Sequence, residues 1–375
     1  METTWAVVMT LGAAAGVSVC GSAAAQDWPT VPFVDHSAYQ AVNPDGSPAY
    51  AGGFPLRLQG VLLNSPGTVF DNTPDFVSVN WPATAFQFGA RQQVYFQATQ
   101  PGDSGGTAMF LAQSLGNHPT NQDDFFSYTD AEWLDELDRV NFDAATGHEF
   151  AAGDLVEVRA RIGLHFSGKY NVNEAHNNDP SADFELVLIQ AGFGLPSPTG
   201  ITIADIKDSS DADIFDPTRT SGGELYQSTR VLLRGVTLVD PAEWTAESTS
   251  AVVTDGTRTL PLLLGTDPAI TPAAAPGGMF DVVGIMDQEA SVRPVGGNDG
   301  YRLVITAADD VWTRLCANQN GDGQVTPGDF NAWIVNFNGG DARADVNLDG
   351  ALTPGDFNAW VLAFNQGVNG PRCPG

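Results

Sequence analysis

The sequence predicts a mainly β protein in which two small β-barrels are followed by a small all-helical module. Three observations favour this fold class. Short runs of alternating apolar residues fill the region 56–306 and form two sets of five. Two fragments of the first set resemble fragments of the second, as in a duplicated domain. Beyond residue 315 the alternation ends and a tandem repeat with helical spacing begins.

Residues 1–25 have the pattern of a signal peptide. An apolar, small-residue run extends from Trp5 to Val19, and Ala23-Ala24-Ala25 supplies an A-x-A cleavage site. A lipid anchor on Cys20 is the alternative, but Val17-Ser18-Val19 places a bulky residue where such sites need a small one before the cysteine. No later apolar run approaches the roughly 20 residues that span a bilayer. The sequence therefore predicts a protein that is secreted or held at the cell surface, without a membrane span.

The composition is strongly acidic. The chain has 45 Asp and Glu residues against 16 Lys and Arg, which gives a formal charge of −29. Such a surface repels nucleic acid, because binding there depends on basic side chains that neutralise phosphates. It also repels anionic lipid and suits a salty or calcium-bearing medium. The sequence therefore predicts that neither nucleic acid nor a membrane surface is a partner.

The β region divides into two predicted domains. Residues 26–53, rich in Pro, Gly and Asp, predict a leader loop before a domain over 54–194 and another over 200–310. The predicted strands are 56–63, 92–99, 107–113, 154–164 and 184–190, then 230–238, 250–254, 259–264, 280–286 and 301–306.

Local motifs link the two strand sets. Leu58-Gln59-Gly60-Val61-Leu62 resembles Leu233-Arg234-Gly235-Val236-Thr237, and the fragment 153–158 resembles 277–282. A first strand with a glycine and a late G-x-x-V-x-V strand resemble secreted OB-fold domains, which are five-stranded barrels. The resemblance implies one OB-like barrel per domain, with a β-sandwich as the alternative. A single helix is predicted over 130–140, with Trp133, Leu134 and Leu137 on one face.

Two segments near the carboxyl end align with an offset of 345 − 318 = 27 residues. They run from Asn318 to Asp329 and from Asp345 to Asp356. Both follow the EF-hand loop pattern, in which oxygens come from positions 1, 3, 5, 7, 9 and 12 and a glycine at position 6 makes the sharp turn. Because the ligands are hard oxygens, the repeat predicts two bound calcium ions.

Each loop supplies six predicted ligands. In the first loop they are Asn318, Asn320, Asp322, the carbonyl of Gln324, Thr326 and Asp329. In the second loop they are Asp345, Asn347, Asp349, the carbonyl of Ala351, Thr353 and Asp356. The threonine at position 9 can reach the ion directly or through water. It can also cap the following helix, since Thr-Pro-Gly-Asp resembles a capping box with Pro at the first helical position.

Each loop leads into a predicted helix with one apolar stripe. The stripes are Phe330, Trp333, Ile334 and Phe337 in the first copy and Phe357, Trp360, Val361 and Phe364 in the second. This i, i+3, i+4, i+7 spacing predicts two short helices that pack antiparallel and bury both stripes.

A duplicated loop and exit helix, without an entering helix, resembles the dockerin module of secreted bacterial carbohydrate-degrading systems. The resemblance covers Cys316 to Cys373. It implies calcium-dependent docking onto a protein of the cohesin type, or self-association. Dockerins commonly carry hydroxyl residues at loop positions 10 and 11, which contact the cohesin; here the positions hold Pro327-Gly328 and Pro354-Gly355. The flanking cysteines and the repeated Asp-Phe-Asn-Ala-Trp look like a divergent, cysteine-flanked (GC-type-like) dockerin subtype of exported bacterial proteins.

The cysteines predict one disulfide. The chain has three, and removal of Cys20 with the signal peptide leaves Cys316 and Cys373, which bracket the repeat. In an oxidising compartment such an isolated pair most simply forms a bridge.

One motif suggests a catalytic centre, but its context fails. The segment 102–106 reads Gly-Asp-Ser-Gly-Gly, the nucleophile signature of chymotrypsin-like proteases, which also need a His and an Asp well upstream. The upstream histidine, His36, lies about 68 residues before Ser104 in the predicted leader loop. We interpret the segment as a turn between the strands 92–99 and 107–113, and no catalytic residue is predicted.

Two functions fit these features. The first is a non-catalytic secreted protein whose β domains bind a ligand or partner, carbohydrate being one candidate, and whose tail serves assembly. The second is an enzyme or accessory protein of polysaccharide breakdown, a hydrolase of O-glycosyl bonds, because dockerins usually travel with glycoside hydrolases. Barrels of this size rarely house such hydrolases, which favours the first.

Overall fold

The structure of the protein is a computed structural model that describes residues 27–74, 90–113, 128–173, 183–277, 279–292, 296–313, 316–320, 325–347, 349 and 351–366. The predicted signal peptide and the predicted ligands Asp322 and Gln324 lie outside the described residues, as do Cys20 and Cys373.

The chain forms fourteen strands and five α-helices within these residues. The strands are β1 (Leu56–Leu62), β2 (Arg91–Ala98), β3 (Gly106–Ala112), β4 (Leu155–Ala160), β5 (Ile162–Phe166), β6 (Lys169–Asn173), β7 (Glu185–Gln190), β8 (Thr199–Ile201), β9 (Arg230–Leu238), β10 (Val252–Thr254), β11 (Thr259–Leu264), β12 (Phe280–Gln288), β13 (Tyr301–Ile305) and β14 (Val311–Thr313). The helices are α1 (His36–Tyr39), α2 (Asp130–Asn141), α3 (Gly222–Tyr226), α4 (Pro327–Gly339) and α5 (Pro354–Gln366).

The first seven strands form one sheet in the order β5-β6-β3-β2-β1-β4-β7. Its neighbours pair antiparallel except β3 and β6, which pair parallel. The pleat of β1 sends Leu56 and Leu58 into the core, because alternate side chains of a strand point to the same face. The hairpin of β2 and β3 contains the predicted turn at 102–106, so that prediction is confirmed.

Helix α2 covers this core at the predicted place. It begins with a capping box in which Thr129 accepts from the Glu132 N–H and Glu132 accepts from the Thr129 N–H. Trp133 is fully buried and Leu137 is buried beside it. Leu134, predicted on the same face, is 52% exposed. The prediction was therefore right for the helix and wrong for Leu134.

The second set of strands closes on itself. Its order is β14-β12-β13-β11-β10-β9-β8, and an additional pairing of β12 with β9 joins β9, β10, β11, β13 and β12 into a five-stranded barrel. β11 and β13 run parallel inside this ring. The barrel interior holds a continuous core that includes Leu233, Trp244 and Phe280.

The predicted fold class of two small OB-like barrels and an EF-hand module is wrong. Among the described residues the first sheet has no pairing that closes it, because the hydrogen-bonded ladder changes partner at Arg161. Before that bend β4 pairs with β1, and after it β5 pairs with β6. β7 adds a further strand on the outer side of β4. The structure thus contains one five-stranded barrel and one seven-stranded sheet.

The predicted leader loop is a packed segment. Val34 N–H donates to the Arg57 carbonyl, and α1 follows directly. Trp28, His36 and Tyr39 are buried, and the Tyr39 hydroxyl donates to the Asn171 carbonyl at 3.1 Å. The segment therefore belongs to the first β unit, the sheet β1–β7, because Tyr39 is part of the core of that sheet. The second β unit is the sheet β8–β14.

The two β units share a buried contact. An apolar cluster with residues from both sheets includes Tyr95, Leu263 and Ile285. Beside it Asp287, which is fully buried, lies 2.8 Å from Lys169 Nζ and 2.8 Å from Arg302 Nη2. Burial raises the pKa of Asp287, but the charges of Lys169 and Arg302 outweigh it and hold that pKa below its usual range. A buried carboxylate with two cations ties the units together.

Helices α4 and α5 occupy the positions predicted from the repeat. Within the described parts of the chain, no helix is long and apolar enough to cross a lipid bilayer.

Candidate functional site

The two copies of the C-terminal repeat, 318–339 and 345–366, pack by reciprocal contacts. The Trp333 indole N–H donates to the Ala344 carbonyl at 3.3 Å, and the Trp360 indole N–H donates to the Ala317 carbonyl at 3.2 Å. Each pair is related by the offset of 27 residues, so each copy binds the other through the same atoms. Trp333 and Trp360 are 6% and 4% exposed and stack with centroids 6.3 Å apart. The copies therefore form one core related by approximate twofold symmetry.

Both helices begin at the predicted caps. The N–H of Thr326 donates to Asp329 Oδ2 at 2.7 Å, and that of Thr353 donates to Asp356 Oδ2 at 2.8 Å. The hydroxyl of each threonine accepts from a glycine N–H, at 3.2 Å from Gly328 and 3.1 Å in the second copy. The threonines therefore cap the helices as the sequence predicted.

The aspartate at loop position 12 also holds the start of each loop. Asp329 Oδ1 accepts from the N–H groups of Gln319 and Asn320, at 2.8 and 3.2 Å. Asp356 Oδ1 accepts from the Asn347 N–H at 3.2 Å. Both aspartates are fully buried. Each carboxylate thus joins the two ends of its loop.

The second loop gathers further polar atoms near its middle. The Asn347 amide donates to Asp349 Oδ2 at 3.0 Å, and the Asp349 N–H donates to Asn347 Oδ1 at 3.0 Å. Asp349 Oδ1 accepts from the Ala351 N–H at 2.9 Å. Asp345, at the start of the loop, is 5% exposed. Three of the predicted ligands of this loop, Asn347, Asp349 and Ala351, are thus joined by hydrogen bonds.

The EF-hand form predicted for the module is not found. Among the described residues, no three His, Cys, Asp or Glu side chains converge as a metal site would require. The physical reason lies in Asp329 and Asp356, whose four carboxylate oxygens all accept backbone N–H bonds and are turned into their own loops. The ligand chemistry nonetheless fits calcium, because carboxylate and amide oxygens are the donors that this ion takes.

Cys316 is disulfide-bonded and 7% exposed. Its predicted partner Cys373 lies outside the described residues, so this pairing stays a prediction. Cys316 lies two residues before the first loop position, Asn318, and borders the shared tryptophan core.

Apolar side chains on α4 and α5 are exposed at matched positions. Phe330 and Phe357 are 38% and 37% exposed, and Val335 and Leu362 are 69% and 67% exposed. The prediction that both stripes are buried is therefore wrong for the two phenylalanines, which lie at the rim of the tryptophan core, and for Ile334, which is 36% exposed. The repeat presents the same apolar positions to solvent twice.

His36 and the Gly-Asp-Ser-Gly-Gly segment meet in space without forming a catalytic triad. Asp103 accepts from the His36 N–H and from the Ser104 N–H, at 2.9 and 2.7 Å. The His36 ring lies against Thr107 Oγ1 and the Gln59 carbonyl, at 2.9 and 3.1 Å. Both ring nitrogens are thus engaged away from the serine, and burial lowers the pKa of His36. The histidine fixes the packed segment to β1 and β3.

One residue near the second loop was not predicted from the sequence. Arg234 of β9 places Nη1 3.9 Å from Asp345 Oδ2. The two residues lie in different predicted domains, and no spacing pattern connects them. The only indication in the sequence was its composition, because the chain has few Lys and Arg residues to pair with its many Asp and Glu residues.

The chain matches no protein-family model, no curated protein and no solved structure.

Proposed function

We propose that the protein is exported and that its C-terminal module binds two calcium ions and docks onto another protein. The observation that carries the proposal is the reciprocal packing of the copies. The indole N–H groups of Trp333 and Trp360 each donate to the carbonyl just before the other copy's loop, and the acceptors at both helix starts, Asp329 and Asp356, are buried. The β units are the part that such a module would attach to its partner.

Calcium would be held by the oxygens that the repeat supplies. In the second loop these are the side chains of Asp345, Asn347, Asp349 and Asp356 with the carbonyl of Ala351. Bound calcium would supply the positive charge that three neighbouring carboxylates need. The aspartate at position 12 would exchange its backbone N–H partners for the ion. Ion binding and loop shape are then coupled.

The exposed apolar residues of the helices are the proposed contact surface. Val335 and Leu362 lie at the same position of each copy and are the most exposed apolar side chains of α4 and α5. A protein partner that covers them would remove apolar area from water, which favours association by about 25 cal/mol per Å² of apolar surface buried. Because the position occurs twice, either copy could contact a partner.

A calcium titration followed by a binding assay tests the proposal. Isothermal titration calorimetry of the chelator-treated chain should detect two calcium ions. Immobilised protein should then capture a partner from the culture medium with calcium and release it with chelator. Val335→Ser with Leu362→Ser should abolish capture, whereas Leu134→Ser, an exposed leucine of α2, should not.

The outcomes separate the parts of the proposal. No calcium heat, or capture that ignores both calcium and the helix variants, would refute it. Capture of the chain's own second copy, seen as a calcium-dependent dimer by light scattering, would identify self-association as the docking mode.

A further inference from the structure

Arg234 lies where a β-bulge interrupts β9. The pairing of β9 with β12 shifts between Phe280 and Val282, so that Arg234 and Gly235 together oppose Asp281. Gly235 has a φ of 66°, the left-handed conformation that glycine adopts in such a bulge, and its N–H donates to Asp281 Oδ1 at 2.7 Å. Because a bulge re-aims the neighbouring side chain, Arg234 leaves the regular alternation of the strand.

The re-aimed side chain extends across β8 towards the repeat. A Cβ at Gly200 would lie 2.9 Å from Arg234 Nη2, so a glycine there leaves room for the guanidinium. Its Nη1 then lies 3.9 Å from Asp345 Oδ2. The Asp345 side chain is 4% exposed and that of Arg234 is 23% exposed, so water screens this pair only in part.

A second acidic group of the repeat responds to the same arginine. Burial raises the pKa of Asp341, but hydrogen bonds from Arg343 and the charges of Arg343 and Arg234 lower it overall. The field of Arg234 therefore reaches the link between the copies. At the first loop the residue equivalent to Asp345 is Asn318, which has no charge to offer an arginine. The contact is specific to the second copy.

We propose that Asp345 is shared between Arg234 and the calcium ion of the second loop, so that calcium binding opposes contact of the module with β9. The inference rests on the proposed calcium binding by that loop. A guanidinium stays protonated and repels a dication placed on the same carboxylate. By linkage, Arg234 weakens calcium binding by the same factor as calcium weakens the Arg234 contact. Low calcium keeps the module against the barrel, and high calcium releases it.

Calorimetry of the full secreted chain tests the inference. Arg234→Met should raise the calcium affinity of one site by about five- to tenfold, the lower part of the range for coupled sites. Arg234→Lys keeps the charge and should stay near the wild-type value. The matched control is Arg258→Met, which removes the same charge from the same barrel, where Arg258 pairs with Asp255 at 3.2 Å. It should leave both sites unchanged.

Two further measurements locate the effect. In an Asp349→Ala background, which weakens the second loop, the gain from Arg234→Met should vanish. Small-angle X-ray scattering should show that calcium increases the radius of gyration of the wild-type chain, and that Arg234→Met has the larger value even with chelator. An unchanged affinity in Arg234→Met, or an equal gain in Arg258→Met, would overturn the inference while two bound calcium ions still supported the proposed function. No calcium binding in any variant would overturn both.

Discussion

The two copies of the C-terminal repeat have the same caps but are held by different chemistry. In the first copy, the Asn336 amide donates to the Gln319 carbonyl and to Gln319 Oε1, at 3.2 and 3.1 Å. The equivalent residues of the second copy are Val346 and Ala363, which are 4% and 7% exposed. A buried polar pair in one copy thus corresponds to a buried apolar pair in the other. The backbone accommodates either a polar or an apolar pair at these positions, provided that both residues of the pair are of the same kind.

The copies also differ in charge. The first loop offers two carboxylates, Asp322 and Asp329, whereas the second offers three, and Arg234 approaches only Asp345 among the first loop positions. The local sequence therefore sets the number of carboxylates in each loop. Arg234 of the neighbouring barrel adds a positive charge beside the second loop.

Removal of calcium is the most severe test of whether the copies act as one unit. A fragment of residues 315–375, which lacks the barrel and its Arg234, should gain most of its helical circular dichroism on calcium addition and lose it with chelator. Without the barrel contact the short helices are marginal and the loops crowd carboxylates. Asp322→Ala should lower the signal of both helices, since each tryptophan donates to the other copy. Magnesium, which demands a tighter octahedral cage, is the control. Equal helicity in chelator would show that calcium does not organise the module.

Reduction of the predicted bridge tests how the ends of the two copies are joined. A Cys316–Cys373 disulfide closes a loop of 373 − 316 = 57 residues, and such a bridge contributes about 3 to 4 kcal/mol in the chain-entropy model. Reduction should lower the unfolding midpoint of the helices and leave the β units folded, as followed by circular dichroism and tryptophan fluorescence. Free thiols titrated in the native protein would contradict the pairing.

Replacement of Gln319 by Val and of Asn336 by Ala gives the first copy the buried apolar pair of the second copy. Gln319→Val alone should destabilise the module by about 1 to 3 kcal/mol, because buried polar partners lose their hydrogen bonds. Adding Asn336→Ala should cost less than the sum of the single changes, since both partners are then apolar. Urea unfolding of the four proteins measures this coupling. Strict additivity would show that the pair does not act as a unit.

The smallest expected difference lies in calcium affinity. Because the second loop carries one more carboxylate, calcium binding should be biphasic, with the second loop about tenfold tighter, or about 1.4 kcal/mol. Asp349→Ala should therefore remove the tighter phase and Asp322→Ala the weaker one. Two equal sites in calorimetry would show that ligand charge does not set the order, or that Arg234 cancels it.

Helices α2, α4 and α5 were predictable because their signals are local, whereas the short helices α1 and α3 were not predicted. Trp333 and Trp360 recur within a capped stripe, and α2 has its own capping box and apolar face. Most strands also lie within a residue or two of the prediction, since alternation is a local property. β6 was missed because it is only five residues long and three of them are polar, Lys-Tyr-Asn-Val-Asn. Its Lys169 is buried by the second β unit, which the local pattern cannot show.

The sequence by itself determined the repeat, its offset, its caps and the set of oxygen donors, because these depend on residues within one turn or one loop. Only the tertiary structure decided which β unit closes, since closure requires β9 and β12 to pair across 41 intervening residues. It also decided that the segment around Tyr39 packs against the first sheet. The contact of Arg234 with Asp345 was likewise decided only by the tertiary structure. A bulge re-aims the arginine, and only the folded chain brings that strand beside the second loop.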